Sequence, residues 1–202
     1  NQLTFMEIPN SDPSVPTYAR SPQWSPNGDK IIFRSPVYYD GKKREEVFSI
    51  NVNGDPNLTQ ITRFPNPSEY ENYSACVSHD YPSFNPSGTK ILFQCGIKNN
   101  PGDGDSKFWG NPDYYQIFIM NSDGSNKINL TNTKFYEKYP QFSPDGSFII
   151  YQAWQKGKME IFFLNILEKN KINLTRNVLS HDIISHGNAF SPDGQKIVFT
   201  SE

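Results

Sequence analysis

F-S-P-D-G at Phe142–Gly146 and F-S-P-D-G again at Phe190–Gly194, with W-S-P-N-G at Trp24–Gly28 and F-N-P-S-G at Phe84–Gly88, write one turn four times in 202 residues. The turn residues start at Ser25, Asn85, Ser143 and Ser191, spaced by 60, 58 and 48 positions. Each position has a mechanism. Ser or Asn bonds the backbone, Pro presets φ, Asp or Asn suits the third place, and Gly takes the positive φ that closes a type I hairpin with a bulge.

Working outward, each turn is followed by a short apolar run: K-I-I-F at Lys30–Phe33, K-I-L-F at Lys90–Phe93, F-I-I-Y at Phe148–Tyr151 and K-I-V-F at Lys196–Phe199. A second set follows, V-F-S-I-N at Val47–Asn51, I-F-I-M-N at Ile117–Asn121 and I-F-F-L-N at Ile161–Asn165. A third carries N-Q-L-T at Asn1–Thr4, T-Q-I-T at Thr59–Thr62, and I-N-L-T at Ile128–Thr131 and Ile172–Thr175. Runs of this length, rich in Ile, Val and Phe and bounded by Gly, Pro, Asn and Asp, read as strands covered on both faces. The unit is four strands: a before the turn, b after it, c ending in Asn, and d carrying the Thr. Repeated four-stranded antiparallel units are the signature of propeller blades, and no 3.6-residue periodicity offers a helical alternative.

Composition agrees. Apolar residues are 35% and aromatics 14%, with 13 Gly and 16 Pro scattered along the chain, which suits a loop-rich all-β protein. The net charge of −2 lacks the basic field that nucleic acid requires, and the run Lys42-Lys43-Arg44 is answered at once by Glu45-Glu46. No stretch approaches the roughly 20 apolar residues of a transmembrane helix.

The pattern P-x-aromatic-S-P-D-G, K-I-x-F, I-F-x-M-N-x-D-G and L-T resembles the TolB-type, or WD40-like, β-propeller repeat over essentially the whole chain. Unit three departs from it, with Ile166-Leu167-Glu168 in place of the N-x-D-G found at Asn51–Gly54 and Asn121–Gly124. The resemblance implies a ring of six blades, of which about four repeats are visible here; a closed four-bladed ring is the alternative. Strand counting predicts an unfinished last blade, so the chain reads as one propeller domain or a fragment of one. The resemblance also implies a non-enzymatic scaffold that binds a protein partner in the bacterial envelope, periplasmic or at the cell surface, with no cofactor. A carbohydrate is the other partner considered.

Counting back from each turn aligns Arg20, Asp80, Lys138 and His186, five residues before the Ser or Asn. This position is expected to rim the mouth of the central channel, with His79 and His181 beside it. The competing function is a carbohydrate-active enzyme resembling the oligogalacturonide lyases, with a metal on His79, His181 and His186. Arg20 and Lys138 oppose it, since they would repel a cation. The chain contains no G-x-S-x-G elbow for a serine peptidase.

The long b–c insertion of unit two, about residues 96–115, is the second expected contact surface, through Phe108, Trp109, Tyr114 and Tyr115. Its loop Asn99–Ser106 alternates Asp and Gly but lacks the closing Glu of a calcium loop. Counting outward from the Asn85 turn places Cys95 opposite about Ser78, within reach of Cys76. A bridge between them implies an oxidising, exported setting; in a reducing compartment both would stay free and buried. The N-L-T sequons at Asn57, Asn129 and Asn173 are explained as strand d chemistry, leaving Asn72 as the fourth.

Overall fold

A computed structural model describes residues 18–39, 42–53, 57–63, 76–97, 114–133, 135–155, 157–176 and 187–200. The first blade is β1 (Arg20–Trp24), β2 (Lys30–Tyr39), β3 (Lys42–Asn51) and β4 (Leu58–Gln60). The second is β5 (Cys76–Phe84), β6 (Lys90–Ile97), β7 (Tyr114–Asn121) and β8 (Ile128–Asn129). The third is β9 (Tyr136–Phe142), β10 (Phe148–Gln155), β11 (Lys158–Asn165) and β12 (Lys171–Asn173). A fourth sheet holds the hairpin β13 (Asn188–Phe190) and β14 (Ile197–Phe199). Each complete sheet runs in sequence order with antiparallel neighbours, so the fold is an all-β propeller of four-stranded blades, with no helix among the described residues. The expected strand at Asn1–Thr4 lies outside the described residues, as do Asn72 and the loop Asn99–Ser106.

The repeated turn forms as its residues dictate. Gly28, Gly88, Gly146 and Gly194 donate their N–H to the carbonyl of the Ser or Asn three residues earlier, each at 2.9 Å. Their φ values lie between 70° and 76°. The Ser25, Asn85, Ser143 and Ser191 side chains then accept the N–H five residues on, at 2.9–3.0 Å. The turns also stack between blades: a Cβ on Gly88, Gly146 or Gly194 would stand 3.5, 3.2 or 3.3 Å from Cδ of Pro26, Pro86 or Pro144 in the preceding turn. One pentapeptide therefore closes its own hairpin and seats on its neighbour.

The core lies between the sheets. Ile32 and Val47 of the first blade pack with Ile91, Phe93 and Met120 of the second. Leu92, Ile117 and Leu130 of the second pack with Ile149, Tyr151 and Leu164 of the third. Strand β6 is buried on both faces over seven of its eight residues, as its apolar run predicts. Unit three keeps its c–d turn but lengthens it by one residue. Asn165 pairs with Asn170 where Asn121 pairs with Ser125, and Lys169 takes φ 58° where Gly124 has 87°.

The Thr of the L-T motif locks strand d. The hydroxyls of Thr62, Thr131 and Thr175 accept the N–H of Val47, Ile117 and Ile161 at 2.8, 3.1 and 3.0 Å. The residue before each Thr donates its N–H to the carbonyl of the same partner. Where β4, β8 and β12 run out of ladder, a side chain satisfies the buried amide.

Candidate functional site: the channel face and the layers behind it

The innermost strands β1, β5, β9 and β13 lie side by side and line a groove of about 500 Å³. Each of the first three breaks its ladder at a bulge, between Arg20 and Gln23, between Asp80 and Ser83, and between Lys138 and Gln141. The residue at the bulge is left-handed in all three, Ser21 at φ 50°, Tyr81 at 51° and Tyr139 at 52°, and each precedes a proline. A bulky residue in this region costs about 1–3 kcal/mol, a strain found where the fold aims a side chain at a site. Here it turns two tyrosines onto the groove wall, where Tyr81 and Tyr139 meet edge to face at 5.1 Å. Trp24, Phe84, Phe142 and Phe190 carry the wall onward, interleaved with Gln23, Ser83 and Gln141. Among the described residues no charged one lines this groove, although one residue in five of the chain is charged.

Charge gathers instead at the ends of the same strands. Arg20 is exposed and stacks on Tyr18 at 4.6 Å. Lys138 lies over the Tyr136 ring at 4.4 Å. Burial holds its ammonium below the ordinary lysine range, and Asp80 offsets part of that. Asp80 differs from the expected rim residue. At 4% exposure it is buried, paired with Arg34 of β2 and bonded by the Ser78 hydroxyl at 2.9 Å. Arg34 spans to Tyr81, its guanidinium 5.4 Å from the ring centre, so the ion pair buttresses one strained tyrosine. Tyr115 leans edge-on to Tyr136 at 5.2 Å, its phenol pushed up by burial and then by Asp80.

His79 also departs from the rim. It is 1% exposed, between blades one and two, with Nδ1 3.2 Å from Glu46 and Nε2 3.5 Å from the Lys127 amine. A lysine at the second ring nitrogen is the wrong neighbour for a metal ligand. Among the described residues no three His, Cys, Asp or Glu side chains converge as a metal site would need. His181, His186, Phe108 and Trp109 lie outside the described residues, while Tyr114 and Tyr115 open β7, half-buried. Cys76 and Cys95 form a disulfide with Cα atoms 5.4 Å apart. Cys95 faces His79 and Cys76 faces Ile97, so the bridge runs diagonally across the β5–β6 ladder, one residue from the counted register.

These repeats have relatives. A TolB homolog of Chlorobaculum tepidum is 31% identical over 90 residues, 45% of this chain and 18% of that protein. A solved structure given as TolB of Agrobacterium tumefaciens superposes over 91% of this chain with a TM-score of 0.62 at 19% identity. The chain is built of TolB-type β-propeller repeats. It spans about half of that structure, 54%, and the matched segment is less than a fifth of the Chlorobaculum relative. An oligogalacturonate lyase solved with manganese shares the fold at a TM-score of 0.62 and 13% identity, covering 93% of this chain and 49% of its own. No family model matches. Within the TolB-type repeats, the residues that sequence reading missed are the left-handed tyrosines. Their signal is Tyr-Pro at the same distance before two turns, Tyr81-Pro82 and Tyr139-Pro140, with Ser21-Pro22 in the first unit.

Proposed function

We propose that the chain is the binding part of a non-enzymatic, TolB-like scaffold of the bacterial envelope, engaging a protein partner along the channel face. The observation that carries this reading is the groove itself: aromatic, rich in proline, lined by uncharged side chains among the described residues, and held by backbone strain at Tyr81 and Tyr139. Such a wall recognises a polypeptide by stacking and by amide hydrogen bonds from Gln23 and Gln141, and rigid aromatic anchors supply most of the energy in such contacts. The rim residues Arg20, Lys138 and, by position, His181 and His186 add charge at its end, and the insertion at Phe108, Trp109, Tyr114 and Tyr115 adds a second contact. Asp80 acts behind the surface, holding Tyr81 through Arg34, and His79 lies buried between blades one and two. The exported setting is supported by the Cys76–Cys95 bridge, since such bridges persist in oxidising compartments.

Capture from envelope extract tests this. The chain should retain a discrete protein that the Tyr81→Ala/Tyr139→Ala variant loses by about 30-fold or more in affinity, the scale of a lost hot spot of 2 kcal/mol. Leu167→Ala, at a fully exposed site in the c–d turn of unit three, should retain it. Equal retention by all three would overturn the choice of face, and cleavage of oligogalacturonate by the purified chain would overturn the non-enzymatic reading.

A further inference from the structure

The layers between blades are built to one plan with one exchange. Counted from the turns and the L-T motifs, Glu137 stands where His79 stands, Gln116 where Glu46 stands, Thr131 where Thr62 stands and Lys171 where Lys127 stands. In the first layer one carboxylate oxygen, Oε2 of Glu46, is partnered, while Oε1 makes no hydrogen bond among the described residues. Glu46 accepts the Thr62 hydroxyl at 2.6 Å and faces the His79 ring, with Lys127 on the ring's other side. In the second layer the carboxylate has crossed to β9, and the residue in the Glu46 position is an uncharged amide. The lysine there donates to the Thr131 carbonyl at 2.7 Å. Glu137 is 1% exposed, accepts the Thr133 hydroxyl at 2.8 Å and enters no ion pair among the described residues. A buried carboxyl with hydroxyl neighbours and no cation in contact favours its neutral form. The Thr133 hydroxyl donates to the charged form and so opposes part of the effect of burial without cancelling it.

The surroundings offer little else to answer its charge. Tyr151 faces it from β10, Lys171 from β12, Gln116 from β7 and Thr131 from the end of β8; on its own strand are Tyr136 and Lys138, and Lys138 is engaged with the Tyr136 ring. From Glu137 the channel wall is two residues away. Tyr139 donates its N–H to Gln94 of blade two at 3.3 Å, and its carbonyl accepts Asn188 of the fourth sheet at 3.3 Å. The strained residue of β9 is therefore the tie between three blades.

We propose that Glu137 is a proton-operated latch: neutral while blades two and three are closed on each other, ionised when that layer loosens and Tyr139 shifts on the channel wall. Burial, working against the Thr131 and Thr133 hydroxyls and Lys171, pushes its carboxyl up to about 7, so the latch works near neutral pH.

The Tyr139 amide reports the latch directly, because it bridges blades two and three. Its hydrogen-exchange protection, corrected for the intrinsic pH dependence of exchange, is expected to fall about tenfold between pH 6 and 8 in the parent chain. In Glu137→Gln it should stay constant. The infrared carbonyl band of a protonated buried acid should be present in the parent at pH 6 and missing from Glu137→Gln. Thr133→Val keeps the carboxyl but removes a donor to its charged form, so its exchange transition should move to higher pH, which tests the latch should Glu137→Gln not fold. Tyr139 protection that is flat in the parent, or that falls equally in Glu137→Gln, would overturn the proposal, as would a Thr133→Val transition that does not move.

Discussion

Gly124 closes the c–d turn of the second blade at φ 87°, and a Cβ there would run into the Ile61 carbonyl of the first blade. Gly28 has a similar φ of 73° but open space around it. The two separate backbone strain from steric contact. Gly28→Ala pays only for the left-handed conformation, about 1 kcal/mol, whereas Gly124→Ala adds a collision with backbone and should cost about 3 kcal/mol. Chemical denaturation of the two variants checks this, and equal losses would mean that the Ile61 approach relaxes freely. At the same scale the left-handed tyrosines mark the limit of what sequence reveals. Proline disfavours the helical region in the residue before it and says nothing in favour of a positive φ. The conformation of Tyr81 and Tyr139 follows from neighbours distant in sequence, Arg34 and Gln94, so it could not be read from the dipeptide.

At the scale of strands, what is local was legible. The four turns, the apolar strands after them and the Thr that ends each outer strand each answer to chemistry within a few residues. Positions counted across a bulge were not. Asp80 and His79 lie just beyond the Asp80/Ser83 irregularity in β5, and their distance from the turn alone, which aligns Asp80 with Arg20 and Lys138, suggested an exposed rim. Their burial depends on Arg34, Glu46 and Lys127, which lie at least 33 residues away in sequence. The disulfide tolerated the same slip because a diagonal pair remained within bridging distance. It closes a separation of 19 residues between β5 and β6. A loop of that size contributes about 3 kcal/mol, chiefly by restricting the unfolded chain. Cys76→Ser/Cys95→Ser should lower stability by up to that amount while leaving the β6–β7 ladder intact. A loss of the whole fold, seen in far-UV circular dichroism, would assign the bridge a larger role.

The whole molecule is a row of sheets in which described contacts run between neighbours, so its stability is a sum over blades and the layers between them. That makes one buried charge visible globally. Glu137 is raised from its ordinary 4.5 to about 7 in the folded chain, because burial disfavours the ionised form. Below pH 4.5 the carboxyl is protonated whether folded or not and costs nothing; above pH 7 it is ionised in both states and the folded chain bears the full penalty. Stability therefore declines as pH rises between these limits, the reverse of the usual salt-bridged carboxylate. The loss between pH 5 and 8 from this residue alone is about 2.5 kcal/mol. Glu137→Gln removes it, so the variant should match the parent near pH 5 and exceed it near pH 8, with the two melting curves converging on acidification. Glu46, held by Thr62 and His79, gives the contrast. Glu46→Gln strips a hydrogen-bonded carboxylate from the first layer, leaves Lys127 without its counter-charge, and should destabilise the chain by about 3 kcal/mol at pH 8. Opposite signs for two glutamates in equivalent layers are what the exchange of Glu46 for Gln116 and of His79 for Glu137 requires. The same sign for both would mean that the layers, despite their shared plan, handle charge alike.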